Sequence, residues 1–355
     1  MICRKRNSIL NRIKKIIMRS KITYFLAFAA ICFVYGCSKS PQPVPDPPVP
    51  EQQNHPLIAG INWADARDNF IDGWVIPSGL EAGDSYATVA QKSALIYDGV
   101  ISALPGVNAV RLPVNPQSVT ERWWDAYQAA IDQALAKKLK VIICCWEGVK
   151  AKDGMIDNMD AFWQMWTVIV NKYGQQSDVY FEVINEPYGY NINQLTTIYE
   201  QFLSKFPNLT RNRIMLSGTG YSEDVNGIGA DSRFKDCLLA LHNYAFWNTR
   251  TQSDWENNWR FRFGAYSSRT IVTEFGAGMT TGKNYTGTVG NDNETAYIVG
   301  STNVFRANNL SNVYWPGIRD GDSYSLLIKS GSNSDIKLAA SNASGVIRIR
   351  YGWGY

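Results

Sequence analysis

From Leu57 onward the chain alternates two hydrophobic rhythms. Short, nearly continuous apolar runs occupy 57–63, 109–114, 140–146, 179–186, 213–218, 237–244, 270–276 and 312–317. Runs without polar alternation are those of parallel strands covered on both faces. Between them apolar residues recur at helical spacing. Met159, Phe162, Trp163, Trp166, Ile169, Val170 and Tyr173 form one stripe, and Leu195, Ile198, Tyr199, Phe202, Leu203 and Phe206 another. Eight strands with helical segments between them predict an α/β fold, a single (β/α)8 TIM barrel over 57–355, although an open doubly wound sheet would share the alternation. The placement of polar and aromatic residues favours the barrel. Arg111, Trp146, Glu147, Asn185, Glu186, His242, Tyr244, Glu274 and Trp315 sit at or just past the C-terminal ends of different runs. In a barrel those ends meet on one face, where active sites of this fold are built.

The N-terminus follows another pattern. Residues 1–21 carry eight Lys or Arg and no acid, and an uncharged run of fifteen residues, 22–36, follows. That is a basic and then an apolar region of an export signal, too short to span a bilayer comfortably. The run ends Val34-Tyr35-Gly36-Cys37, which resembles the lipobox of bacterial lipoproteins and implies lipidation of Cys37, with Tyr35 larger than usual there. Met18 is an alternative start, since 18–37 is a complete signal. The next stretch, 38–56, holds seven of the fourteen prolines, and such density favours an extended polyproline spacer. The expected organisation is a signal peptide at 1–36, a lipidated Cys with its Pro-rich tether at 37–56, and a catalytic domain at 57–355. The expected location is the cell envelope, on the outer membrane, through a lipid anchor.

The division changes the reading of charge. The whole chain carries 35 bases and 31 acids, net +4, but all eight bases of residues 1–36 leave with the signal, and the remainder is −4. The reason to consider nucleic acid as a partner leaves with them. Of six cysteines, Cys144, Cys145 and Cys237 fall in apolar runs with no zinc-ligand spacing, so they read as buried free thiols, and no metal or cofactor is called for.

Glu186 ends 179–186 and Glu274 ends the TIVTE of 270–274. A carboxylate closing a buried apolar strand is costly unless something uses it. Two of them, facing each other across a barrel mouth, are the equipment of glycoside hydrolysis, one protonating the leaving oxygen and one attacking the anomeric carbon. With these residues in view, the chain resembles glycoside hydrolase family 5, the family of many cellulases and mannanases. Asn185-Glu186-Pro187 is similar to the motif that follows strand four there, and Thr273-Glu274-Phe275-Gly276 to its strand-seven motif. The resemblance implies Glu186 as acid/base, Glu274 as nucleophile and Asn185 as a contact to the sugar 2-hydroxyl. It implies Arg111 beneath the nucleophile, His242 and Tyr244 as the strand-six His-x-Tyr, and Trp315 as the floor under the reacting sugar. Arg111 and the Tyr244 phenol are expected to lower the pKa of Glu274.

One departure bears on the substrate. Where the family has a His after strand three, this chain reads Cys144-Cys145-Trp146-Glu147-Gly148, and His242 is the only His after Leu57. The wall of the sugar pocket would then be rebuilt, with Trp146 stacking and Glu147 accepting from hydroxyls. Trp63, Trp74 and Trp247 are further subsite candidates, since sugar faces pack on aromatic rings. Asp320 and Asp322 place charge beside the sugar floor, which fits an end-blocking loop or a solvated one equally. The expectation is a monomeric, retaining O-glycosidase acting on a polysaccharide, by default a β-1,4-glucan or mannan. An exo-acting α-L-arabinofuranosidase or β-D-galactofuranosidase on the same scaffold is the rival, and a non-catalytic glycan-binding lipoprotein is the alternative of another class.

Overall fold

A computed structural model of the chain describes residues 56–67, 71–146 and 152–355. The signal segment, Cys37, the Pro-rich tether and Glu147 lie outside the described residues. Residues 53–355 form one compact unit. Eight parallel strands close into a barrel in sequence order: β1 (Ala59–Trp63), β2 (Ala109–Val114), β3 (Lys140–Cys145), β4 (Val179–Glu182), β5 (Ile214–Ser217), β6 (Leu238–His242), β7 (Thr270–Glu274) and β8 (Ser311–Ile318), with β8 pairing back to β1. Each lies within or beside a run that the sequence marks as a strand.

Six main helices lie between the strands: α1 (Tyr86–Ala103), α2 (Trp124–Ala136), α3 (Met159–Tyr173), α4 (Ile192–Lys205), α5 (Gln252–Phe263) and α6 (Asn293–Ala307). Most begin at a side chain that accepts a free backbone N–H of the first turn, such as Ser85, Asn158 and Asp292. The start of α4 is a capping box, in which Asn191 and Gln194 each accept the other's backbone N–H. The two predicted stripes lie on α3 and α4, with Phe162, Trp166, Ile169, Leu195, Tyr199 and Phe202 buried. After β8 the chain forms a hairpin, β9 (Leu327–Ser330) with β10 (Lys337–Ala340), and ends in α7 (Ala343–Gly352). Sequence periodicity does not anticipate the hairpin, because only its first residue is buried. Among the described residues no helix is long and apolar enough to cross a membrane.

Side chains alternate along each strand, and the alternation sorts the barrel into two environments. One set, including Ile61, Trp63, Val110, Leu112, Val141, Ile143, Phe181 and Leu239, packs with the helices. The other fills the interior, where Ala109, Ile142, Tyr180, Met215, Ala240, Ile271 and Val313 make an apolar plug. Two residues further along four strands, the interior positions become Arg111, Cys144, Glu182 and His242. The polar layer is thus one repeat of the strand pleat above a dry floor, at the C-terminal mouth.

Candidate active site

Arg111 is the hub of that layer. Its guanidinium, 1% exposed, spans the barrel. Nε and Nη2 donate to the Glu182 carboxylate at 2.7 and 2.9 Å, while Nη1 donates to Glu274 Oε1 at 2.5 Å and Asn62 Oδ1 at 2.9 Å. Nη2 also donates to Asn185 Oδ1 at 2.7 Å and reaches Cys144 Sγ at 2.9 Å. Burial pushes the Cys144 thiol well up despite the neighbouring cation, so it stays neutral and acts as a weak acceptor. A fully buried cation needs this much anionic and polar company.

Glu274 is held on its other oxygen by the Tyr244 hydroxyl, which donates to Oε2 at 2.9 Å. Burial raises the Glu274 carboxyl above its ordinary range, opposed by His242 and Arg111. The expectation of a net lowering from Arg111 and Tyr244 is therefore not met, because removing the carboxylate from water outweighs its partners. Among the described residues no Lys or Arg contacts Glu186. Its Oε1 lies 2.9 Å from His242 Nδ1, and burial pushes its pKa up to about 8, with Glu223 and Glu182 adding to the rise against the pull of Arg111. His242 Nε2 lies 3.0 Å from Thr273 Oγ1, and burial lowers the imidazole's pKa, which keeps it neutral at pH 7.

Local backbone features aim these groups. The pairing of β6 with β7 shifts register between Leu241↔Val272 and His242↔Glu274, so the consecutive residues Thr273 and Glu274 both reach the mouth. Gly276 lets β7 pass Trp315, since a Cβ there would collide with the Trp315 carbonyl oxygen. Single donor atoms of Glu186, His242 and Glu274 all lie within 4.8 Å of one another. Such a trio has the makings of a metal site, but Arg111 already occupies Glu274 with a fixed positive charge, which opposes a cation there.

The cluster opens on a cavity of about 570 Å³ lined by Glu186, Tyr221, Glu223, His242, Tyr244, Phe246, Trp247, Glu274, Trp315, Arg319, Asp322 and Tyr324, among others. Two inward carboxyls beside a half-aromatic cavity at a barrel mouth are what glycoside chemistry needs. Residues 100–318 match the family described as Cellulase (glycosyl hydrolase family 5). The chain belongs to glycoside hydrolase family 5. Over 197 residues it is 25% identical to endoglucanase H of Acetivibrio thermocellus, a match spanning 52% of this chain and 21% of that protein, so it covers about a fifth of that relative's length. Among solved structures, a β-glucanase from Saccharophagus degradans superposes with a TM-score of 0.60 at 16% identity, over 83% of this chain and 88% of that one. Cel5A from Hypocrea jecorina gives 0.57 at 15% identity, over 83% and 98%. At these identities the two structures speak for the fold, a (β/α)8 barrel.

In this family 5 hydrolase, Arg111, Asn185, Glu186, His242, Tyr244 and Glu274 come together at the mouth, and Trp315 and Asp322 line the cavity. Trp247 also lines it, 86% exposed. Trp146 does not present a face to the cavity. Its ring is 1% exposed and lies tilted against Trp315, with centroids 5.7 Å apart, so it backs that ring. Trp63 is a correction. It has the outward parity of β1, is fully buried against Tyr97 and donates its indole N–H to Ser78 O, so it belongs to the barrel–helix core. Trp74 stacks on Trp123 and donates to Glu121, outside the cavity lining. Asp320 turns away to Lys329 at 3.3 Å, again outside the cavity lining. Cys144, Cys145 and Cys237 are buried thiols.

Sequence reasoning missed Glu182, Asn62, Thr273, Tyr221, Glu223, Phe246 and Tyr324. Glu182 carried a readable signal, being a charge four residues before Glu186 inside the same apolar run, with the same strand parity. The others come from loops, or from strand positions whose residue type carries no charge.

Proposed function

We propose that this chain is a retaining, endo-acting hydrolase of β-1,4-linked glucan, with Glu274 as nucleophile and Glu186 as acid/base. The observation that carries the reading is the approach of the two carboxyls: an oxygen of Glu186 lies within 4.8 Å of one of Glu274. Retaining enzymes place these groups about 5–5.5 Å apart, whereas inverting ones need room for a water. Two carboxyls that close share a proton, and the contacts decide where it sits. Ionised Glu274 accepts from Arg111 and Tyr244, while Glu186 faces a neutral imidazole. The proton therefore belongs to Glu186.

Attack by Glu274 on the anomeric carbon breaks the glycosidic bond as Glu186 passes its proton to the leaving oxygen. Forming the glycosyl ester removes the charge of Glu274, which relieves Glu186 of a repelling neighbour's demand for its proton. Glu186 then takes a proton from water, whose oxygen displaces Glu274 from the sugar. Trp315, backed by Trp146, is the floor for the reacting sugar, and Tyr221 and Trp247 extend the aromatic lining beyond it. The relatives, an endoglucanase and a β-glucanase, support a glucan over a furanoside. The N-terminal segment fits this role as an export signal, with lipidation at Cys37 and a tether that holds the enzyme off the envelope surface.

The test is a panel of aryl glycosides, β-cellobioside, β-mannobioside, α-L-arabinofuranoside and β-D-galactofuranoside, with Glu274→Gln as control. Release from the cellobioside by the wild type alone is expected. Faster release from a furanoside would replace the substrate assignment, and glycan binding without any turnover would replace the catalytic one.

A further inference from the structure

The segment after β5 is built with unusual backbone care for a surface turn. Residues 219–222 form a short helical turn kinked at Gly220, closed by Thr219 N–H donating to Asp224 O at 3.0 Å and Glu223 N–H donating to Thr219 O at 3.0 Å. Ser222 is fully buried, and its φ is +56°. Glu186 has a φ of +45°. Left-handed backbone at two residues that are not glycine is costly and is kept only where the surroundings enforce it. The two strained residues hold each other, since the Glu186 N–H donates to Ser222 Oγ at 3.2 Å.

The next residue, Glu223, lines the same cavity as Glu186. Its carboxylate lies 3.6 Å from Arg262 Nη2, and Arg262 Nη1 donates to the Glu223 carbonyl at 2.8 Å, fastening the turn to α5. Other charged or titratable groups act on Glu186 from every side: Arg111 from β2, Glu182 from β4, His242 from β6, Tyr244 from the loop that follows β6, and Glu274 from β7. Those groups form the cluster that the reaction uses. Two further carboxylates line the cavity outside that cluster, Asp322, paired with Arg319 at 3.2 Å, and Glu223, which is the one that acts on Glu186.

We propose that this turn is a positioning device for the acid/base: Ser222 fixes the strained backbone of Glu186, and Glu223, restrained by Arg262, sets a negative charge at the rim of the cavity that Glu186 lines. The proposal rests on the catalytic reading given above for the residue it serves. Its physics is that of a like charge at the rim of a low-dielectric cavity, which disfavours ionisation of the buried neighbour. Arg262 partly cancels that charge, so the two residues have opposite effects.

The test titrates the Glu186 carboxyl by carbon NMR in glutamate-labelled protein, assigned with Glu186→Gln, for the wild type, Glu223→Gln, Arg262→Gln and the double variant. The alkaline limb of kcat/KM on an aryl β-cellobioside with a poor leaving group is followed in parallel. Glu223→Gln should lower the Glu186 midpoint by about 0.5 pH unit, as expected for one partly screened charge. Arg262→Gln should raise it, and the rise should vanish in the double variant. An unchanged midpoint in Glu223→Gln, or single-variant shifts in the same direction, as general loosening would give, overturns the proposal. Because the titration needs no substrate, a protein that shifts as expected but hydrolyses no glycoside would contradict the catalytic reading and leave the positioning role standing.

Discussion

Arg111 reaches Glu274 through a single nitrogen, Nη1 at 2.5 Å from Oε1, while its Nε and Nη2 are committed to Glu182 at 2.7 and 2.9 Å. The guanidinium is therefore anchored on one carboxylate so that it can serve the other. Glu182 should behave as a positioning residue. Glu182→Gln keeps the shape but removes the anchoring charge, and should lower kcat more than it changes KM. Glu182→Ala leaves a buried cation short of an anion and should cost about 3–5 kcal/mol of stability by denaturant unfolding. A Glu182→Gln variant with wild-type kcat would show that Arg111 needs no anchor.

The proposed nucleophile and acid/base differ in their response to the leaving group. Glu274→Gln should remove activity on every substrate. Glu186→Ala should keep activity on an aryl glycoside whose leaving group needs no proton, and added azide should raise it by intercepting the glycosyl ester. Equal losses for both variants on that activated substrate would contradict the division of roles.

The pH profile follows from the Glu186 pKa of about 8. On a substrate with a poor leaving group, kcat/KM should fall as pH rises through about 8, because the acid is then ionised. The same pKa makes a stability prediction. An unfolded glutamate titrates near 4.3. Between that value and about 8 the folded state binds more protons, so this group's contribution falls as pH rises through the window. Glu186→Gln, which has no charge to bury, should raise Tm relative to wild type, and by more at pH 8 than at pH 5. A Tm difference independent of pH would rule out burial of Glu186 as the cause.

Trp63 and Trp315 separate core from cavity. Trp63→Ala should destabilise by about 3–5 kcal/mol with KM unchanged in the protein that remains folded. Trp315→Ala should raise KM about tenfold, the loss of roughly 1.4 kcal/mol of sugar stacking. A raised KM in Trp63→Ala would restore it as a subsite.

The contrast between these two tryptophans shows how far the sequence could be read. The eight strands were legible because parallel barrel strands are apolar on both faces, and Glu186 and Glu274 stood out because a charge closing such a strand is conspicuous. Strand parity was the signal needed for Trp63, and it was overridden by proximity to the strand end. Ile61 and Trp63 share the helix-facing side of β1, while Asn62 between them faces Arg111. Glu223, Phe246 and Tyr324 were not legible, since they stand in loops, whose polar and aromatic residues follow no period. Their position at the cavity depends on contacts distant in sequence, such as the packing of Phe246 against Tyr324 and the bond from the Tyr324 hydroxyl to Glu294.

The proposed mechanism turns on double displacement through Glu274. Proton NMR of the first product released from a β-linked cello-oligosaccharide, read before mutarotation, tests it directly. The expected first product is the β-anomer, formed by two inversions across the Glu186–Glu274 pair. An initial α-anomer would mean a single displacement by water and would contradict the proposed mechanism.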